Sequence, residues 1–196
     1  MNLHYIMKSI LLLIRKPIFV VFSILIFQIS CEKEMPELVN EEEVITTVVL
    51  NLVDESGASQ SVRWFLNSAV SNQASVDPIV LKADTQYTVS VNFLNESDPT
   101  NPQTITSDIV AEADDHQVFY EFTGNAISLS TSSSDTVDSE NNPLYLTSIW
   151  STGTEASSGQ VRIYLIHLPT SKSGQSRTDF GGETDVSADF PFQIRL

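Results

Sequence analysis

Cysteine and basic residues are scarce in this sequence. Cys31 is the only cysteine among 196 residues, which excludes an intramolecular disulfide. Ten lysines and arginines stand against 25 aspartates and glutamates. Because phosphate backbones bind to basic surfaces, this excess of negative charge argues against a nucleic-acid partner.

Sequence motifs of the common enzyme classes are also missing. The chain contains no G-x-S-x-G elbow, no H-E-x-x-H pair, no phosphate-binding P-loop and no dinucleotide glycine fingerprint. One cysteine and three histidines leave little material for a nucleophile activated by a base. We therefore expect a protein that is not an enzyme.

A long hydrophobic run is absent as well. The longest mainly apolar stretch covers residues 18–29, and Arg15, Lys16 and Pro17 separate it from the apolar residues 10–13. A helix needs roughly 20 apolar residues to cross a bilayer. The shorter run behind a basic start predicts a signal peptide over residues 1–30, beginning at Met1 or at Met7.

Cys31 directly follows this predicted signal peptide. The sequence Gln28-Ile29-Ser30-Cys31 resembles a lipobox, which implies cleavage before Cys31 and attachment of lipid to its sulfur. Residues 31–43 are charged and mostly acidic, and they are interpreted as a flexible tether. Residues 31–196 hold all 25 acids but only seven of the ten basic residues, which gives a net charge of −18.

Residues 44–196 form one predicted domain dominated by alternation of apolar and polar side chains. Tyr87, Val89, Val91 and Phe93 share one face of a predicted strand, and Thr88, Ser90 and Asn92 share the other. Such alternation is typical of half-buried antiparallel strands. The predicted strands, eight to nine in number, are 44–53, 61–66, 79–81, 87–93, 117–123, 126–130, 144–150, 160–168 and 186–194, with at most one short helix at 107–113. Many short strands in one domain predict an all-β antiparallel sandwich, with a closed barrel as the competing architecture.

The segment from Leu81 to Val91 reads LKADTQYTVSV and resembles the tyrosine corner of fibronectin type III and related immunoglobulin-like domains. This resemblance favours an immunoglobulin-like sandwich. Trp64 and Trp150 each fall in an apolar register, and we expect both in the core.

Three further segments, at 41–48, 115–120 and 181–186, are together similar to a group of small uncharacterised outer-membrane lipoproteins of the Bacteroidota. That resemblance implies a cellular address and a fold rather than a chemistry. The implied location is the outer membrane, reached through the N-terminal lipid, with the cell surface and the periplasmic face left open.

The two histidines beyond residue 30 suggest a metal site. His116 and His167 each lie at the end of a predicted strand, and Glu112, Asp114 and Asp115 precede His116. Imidazole and carboxylate together suit zinc, copper or nickel. The alternative is a pair of structural, hydrogen-bonded histidines, because nothing in the sequence shows that residues 51 positions apart meet.

An acidic loop between two predicted strands suggests a calcium site. Asp135, Asp138, Glu140 and Asn142 offer oxygen ligands at short spacing, and calcium takes six to eight oxygens. The spacing lacks the regular pattern of an EF-hand, and acids in loops are commonly only solvated.

Two functions follow from these features. The first is a non-catalytic binding or interaction module of the cell envelope, whose loops, above all 169–185, meet a small ligand or an outer-membrane receptor. The alternative is an accessory lipoprotein that captures a cation through His116, His167 and nearby carboxylates. No cofactor is expected other than such a divalent metal.

Overall fold

A computed structural model describes residues 43–66 and 73–196 of the chain. The predicted signal peptide, the lipid-attachment residue Cys31 and the tether up to residue 42 lie outside the described residues. Within the described part of the chain, no helix is both long enough and apolar enough to span a bilayer.

The described residues form two β-sheets. The first sheet has seven strands in the order β3-β2-β1-β5-β9-β8, with β6 paired to β5. Its strands are β1 (Thr47–Asp54), β2 (Ser59–Leu66), β3 (Ala74–Val76), β5 (Gln86–Asn95), β6 (Gln103–Thr104), β8 (Ile127–Thr131) and β9 (Thr147–Thr152). All of its pairings are antiparallel.

The second sheet has four strands in the order β4-β11-β10-β7. They are β4 (Ile79–Lys82), β7 (His116–Phe122), β10 (Ser157–His167) and β11 (Glu183–Arg195). The pairing of β4 with β11 is parallel, and the other two pairings are antiparallel. Strand β10 therefore lies between β7 and β11.

One hydrophobic core joins the two sheets. The alternating face of β5 is buried, and Val89 and Phe93 have no exposed surface. Trp150 of the first sheet is fully buried and meets Tyr120 and Phe122 of the second edge to face, with ring centroids 5.7 and 5.0 Å apart. This packing confirms the predicted β-sandwich and the core position of both tryptophans.

Two short helices complete the described fold, α1 (Thr106–Ala111) and α2 (Arg177–Phe180). Helix α1 lies where the sequence predicts its single helix. Helix α2 falls inside the segment predicted as a loop, where Ser176 and Asp179 form a capping box. The short strands β3 and β6 were also not predicted, because two or three residues carry no periodic pattern.

The tyrosine-corner segment makes the contact expected of it. The Tyr87 hydroxyl accepts a hydrogen bond of 2.8 Å from the backbone N–H of Lys82. A tyrosine corner likewise joins its hydroxyl to backbone a few residues upstream.

Candidate metal centre

Three acceptor-bearing side chains, those of Glu43, His116 and Asp185, converge where the chain enters the sandwich. One ligand atom from each lies within 4.8 Å of the others, and His116 Nε2 is 4.0 Å from Asp185 Oδ2. The side chains of His116 and Asp185 are only 1% and 7% exposed. Glu43 Oε2 is shielded from solvent and accepts no hydrogen bond from the described residues.

The three side chains come from three separate parts of the fold. Glu43 lies just before β1, His116 is the first residue of β7, and Asp185 belongs to β11. Leu165 pairs with Val186 and Ile166 pairs with Thr184, so a β-bulge falls at Asp185. A bulge re-aims a side chain relative to regular alternation, which is how a residue two strands away from His116 reaches its ring.

The contacts of the His116 ring identify the tautomer of its neutral form. Nδ1 lies 3.0 Å from the backbone carbonyl oxygen of Glu112. Because a carbonyl oxygen only accepts, Nδ1 carries the proton of this hydrogen bond, and in the neutral ring Nε2 keeps its lone pair. Histidine ligands of metals are commonly oriented in this way, with the far nitrogen donating to a carbonyl or carboxylate.

Two more contacts hold His116 in place. Its ring stacks on that of His167, with centroids 5.0 Å apart and an angle of 11° between the planes. The Lys172 ammonium donates hydrogen bonds to the backbone carbonyls of His116 and Ala113. The backbone and the ring of His116 are therefore both fixed by neighbours outside the acceptor cluster.

The electrostatics of the centre favour a positive charge. Burial, followed by the negative charges of Asp185, Glu112 and Asp108, raises the pKa of Glu43 from 4.5 to about 7. Two carboxylates and a neutral imidazole offer acceptors but no donor to one another. A proton on one of them, or a cation between them, relieves this conflict.

The spacing of the three groups is wider than in an occupied metal site. At metal–ligand distances of about 2.0–2.2 Å, tetrahedral ligands lie roughly 3.3–3.5 Å apart. A contraction of about 1 Å would bring the three atoms, now within 4.8 Å, to that separation. One imidazole with two carboxylates suits zinc and other first-row divalent ions, and leaves at least one coordination position open.

The structure brings some of the predicted metal ligands together and separates others. His116 and His167 are stacked, and Glu112 contributes its carbonyl to His116. Asp114 instead accepts a hydrogen bond of 2.8 Å from the backbone N–H of Ser139. Burial lowers the pKa of Lys172, and the negative charges of Asp114 and Asp115 partly oppose that shift. The centre thus shares only His116 with the set of ligands chosen from the sequence.

Two of the four predicted calcium ligands, Asp135 and Asp138, already accept hydrogen bonds from backbone N–H groups. The Asp138 carboxylate accepts hydrogen bonds from the backbone N–H groups of Glu140 and Asn142 and from the Asn142 side-chain amide. Burial alone would raise the pKa of Asp138, but these bonds and the Lys172 charge lower it. Lys172 Nζ lies 3.8 Å from Asp138 Oδ2, where it supplies a positive charge to this loop.

Asp135, the fourth of these residues, lies apart from that arrangement. Its carboxylate accepts the backbone N–H groups of Tyr145 and Thr147 at 2.6 and 2.8 Å. Burial raises the pKa of Asp135 despite these bonds. In the structure these carboxylates organise the loop between β8 and β9, and calcium binding there stays a prediction.

Sequence reasoning missed Glu43 and Asp185. Glu43 ends a run of three glutamates, a pattern typical of a solvated tether, and Asp185 stands at the edge of a predicted loop. Their proximity depends on the bulge in β11 and on the position of the segment before β1 against the four-stranded sheet. Neither feature leaves a pattern in the local sequence. The only available signal was that Asp185 directly precedes a strongly alternating strand.

Comparison with known proteins returned no match: no family model fits this chain, and no curated protein or solved structure is significantly similar to it.

Proposed function

We propose that this protein is an exported, lipid-anchored envelope protein whose β-sandwich captures a divalent transition-metal ion through Glu43, His116 and Asp185. The observation that carries the proposal is the convergence within 4.8 Å of two carboxylates and an imidazole whose Nε2 is an acceptor in the neutral ring. The orientation of His116 by the Glu112 carbonyl supports it, because this leaves Nε2 available as a ligand. The net charge of −18 on residues 31–196 would concentrate cations around the domain.

Metal analysis of the processed chain, purified without chelator, tests this function. We expect one equivalent of zinc, copper or nickel by mass spectrometry of the elements, and saturable Zn²⁺ binding by calorimetry. Asp185→Asn keeps the shape of the side chain and should weaken Zn²⁺ binding by about 100-fold or more, because a direct ligand contributes at least as much as the outer-shell groups whose loss costs about 10–100-fold. Protein that neither retains a metal nor binds Zn²⁺ would refute the proposal.

The matched control is the double variant Asp114→Asn, Asp115→Asn. It also removes negative charge close to His116 in the chain, but from residues with other partners. Asp114 accepts a hydrogen bond from the Ser139 backbone N–H, and the charges of Asp114 and Asp115 raise the pKa of Lys172. We expect its Zn²⁺ affinity to stay within about threefold of the parent, since neither carboxylate is among the three converging groups. A loss as large as that of Asp185→Asn would instead favour the ligands chosen from the sequence.

The anchor is tested separately at Cys31. Cys31→Ser should abolish acyl labelling and move the protein from the membrane fraction to the soluble fraction. Protease treatment of intact cells then distinguishes the cell surface from the periplasmic face of the outer membrane. Unchanged labelling and fractionation in the variant would contradict the lipid anchor.

A second candidate function is a non-catalytic binding module that meets a small ligand or an outer-membrane receptor. A cleft of about 380 Å³ beside α2 favours it, with Phe119, Tyr145 and Phe180 among its lining residues. That volume falls within the range of small-ligand sites, roughly 300–1,000 Å³. Titration with a panel of small aromatic and sugar compounds, followed by NMR shifts in the parent and in Phe119→Ala, would detect such a ligand.

A further inference from the structure

Glu43 approaches the metal centre from a different sheet than its two partners. It precedes β1 of the seven-stranded sheet, whereas His116 and Asp185 belong to the four-stranded sheet. A metal held by all three would therefore join the entrance of the chain to the opposite layer of the sandwich. Residues 43, 116 and 185 are far apart in the sequence, so a metal bound to all three would close long loops. A cross-link that closes a long loop restricts the unfolded chain more than one that closes a short loop.

Among the described residues, the segment that carries Glu43 makes its first backbone hydrogen bonds to the sandwich at Thr46. The Thr46 backbone N–H donates to the carbonyl of Leu94 at 3.0 Å, and its carbonyl accepts from Leu66 at 2.8 Å. Within the described residues, no hydrogen bond between backbone groups involves positions 43–45, and Val44 is 56% exposed. Upstream of Thr46, Ile45 packs on the core.

The Glu43 carboxylate lies against two other acceptor groups at the centre. Its shielded Oε2 accepts no hydrogen bond from the described residues, and the groups nearest to it at the centre are acceptors. Neighbouring acceptors repel one another unless a cation or a proton lies between them. A metal ion would reverse this interaction and draw the Glu43 carboxylate inward by about 1 Å to reach bonding distance.

We infer that metal binding at this centre clamps residues 43–46 onto the four-stranded sheet, so that metal occupancy controls how firmly the segment entering β1 is held. This inference rests on the proposed metal-binding function. It assigns Glu43 a role beyond that of a third ligand, because Glu43 alone connects the metal to the part of the chain that leads towards Cys31. Metal binding would then change the mobility of the backbone just before β1.

Backbone ¹⁵N relaxation of the processed chain in detergent micelles, with and without saturating Zn²⁺, tests the clamp. Zn²⁺ should raise the order parameters of Val44 and Ile45 towards about 0.85, the value of rigid backbone. Thr100, in an exposed turn held by Asp98, should not change. In Glu43→Gln, which lacks the carboxylate that would bind Zn²⁺, the order parameters of Val44 and Ile45 should stay at the values of the parent without Zn²⁺.

Calorimetry on the same samples separates the two ideas. One equivalent of Zn²⁺ bound by the parent, with unchanged order parameters at Val44 and Ile45, would overturn the clamp and leave metal capture standing. Equal Zn²⁺ affinity in the parent and Glu43→Gln would likewise overturn the clamp. No binding to the parent would remove the proposed function and the clamp together.

Discussion

The imidazole rings of His116 and His167 lie nearly parallel, 5.0 Å apart, on neighbouring strands of the four-stranded sheet. They are direct partners in the pairing of β7 with β10, so their side chains leave the sheet on the same face. His167 thereby supports the flat side of the ring whose edge faces Glu43 and Asp185. The relationship gives the second histidine a positioning role without making it a ligand.

Removal of this support should weaken metal binding. His167→Ala leaves the His116 ring unsupported on one side, and we expect about tenfold weaker Zn²⁺ binding, as for other groups that orient a ligand. His167→Phe retains a flat ring and should stay within about threefold of the parent. Competition with a chromogenic chelator measures both affinities. A loss in His167→Phe as large as in His167→Ala would mean that the His167 nitrogens themselves matter.

The raised pKa of Glu43 predicts a pH-dependent effect on the stability of the metal-free protein. The carboxyl titrates near 4.5 in the unfolded chain and near 7 in the folded protein, so its ionisation opposes folding increasingly between these values and fully above about 7. Glu43→Gln removes that cost. With chelator present, we expect the variant to be more stable than the parent by about 1 kcal/mol at pH 8, a discounted figure because the side chain is partly exposed, and equal to it at pH 4.

Urea unfolding at both pH values measures this difference. Glu155→Gln, at an exposed position in the turn before β10, serves as the control and should change stability at neither pH. With Zn²⁺ present the order should reverse at pH 8, because the parent gains more binding energy from the metal than a variant that lacks one of the three ligands. A Glu43→Gln protein that is less stable than the metal-free parent at pH 8 would contradict the raised pKa.

Gly182 allows the backbone before β11 to pass close to His167. Its φ is +61°, and an added Cβ would meet the carbonyl oxygens of His167 and Leu168 at 2.3 and 2.7 Å. Gly182→Ala must displace this backbone, and we expect a loss of about 2–3 kcal/mol in the free energy of unfolding together with weaker Zn²⁺ binding. Gly57→Ala is the matched control, since its φ is +85° but its surroundings are open. It should cost about 1 kcal/mol from backbone strain alone and leave Zn²⁺ binding unchanged.

Trp150 should dominate the contact between the two sheets. Trp150→Ala removes a fully buried ring that meets Tyr120 and Phe122, and we expect a loss of about 3–5 kcal/mol in the free energy of unfolding. Val44→Ala, at a position that is 56% exposed, should change it by less than about 0.5 kcal/mol. Chemical denaturation followed by far-ultraviolet circular dichroism compares the two. A loss below about 1 kcal/mol for Trp150→Ala would show that the sheets do not depend on this ring.

The alternation of side chains was enough to predict the long strands and the all-β class. Tyr87, Val89, Val91 and Phe93 face the core as their spacing of two requires, because a strand turns successive side chains to opposite sides. The same rule located the long strands β10 and β11 and the core position of Trp150. These features are local, and the pattern of nearby residues therefore specifies them.

The metal centre depended on contacts that no local pattern records. The sequence identified His116, but the selection of Glu112, Asp114 and Asp115 rested on closeness along the chain. Pairing of β7 with β10 brought His167 beside His116, and the bulge in β11 turned Asp185 towards the same place. Glu43 lies just before β1 of the opposite sheet, and the packing of the two sheets brings it to the same place. Period-two patterning determines which face a side chain occupies, whereas only strand order, register and the bulge decide which residues meet across that face.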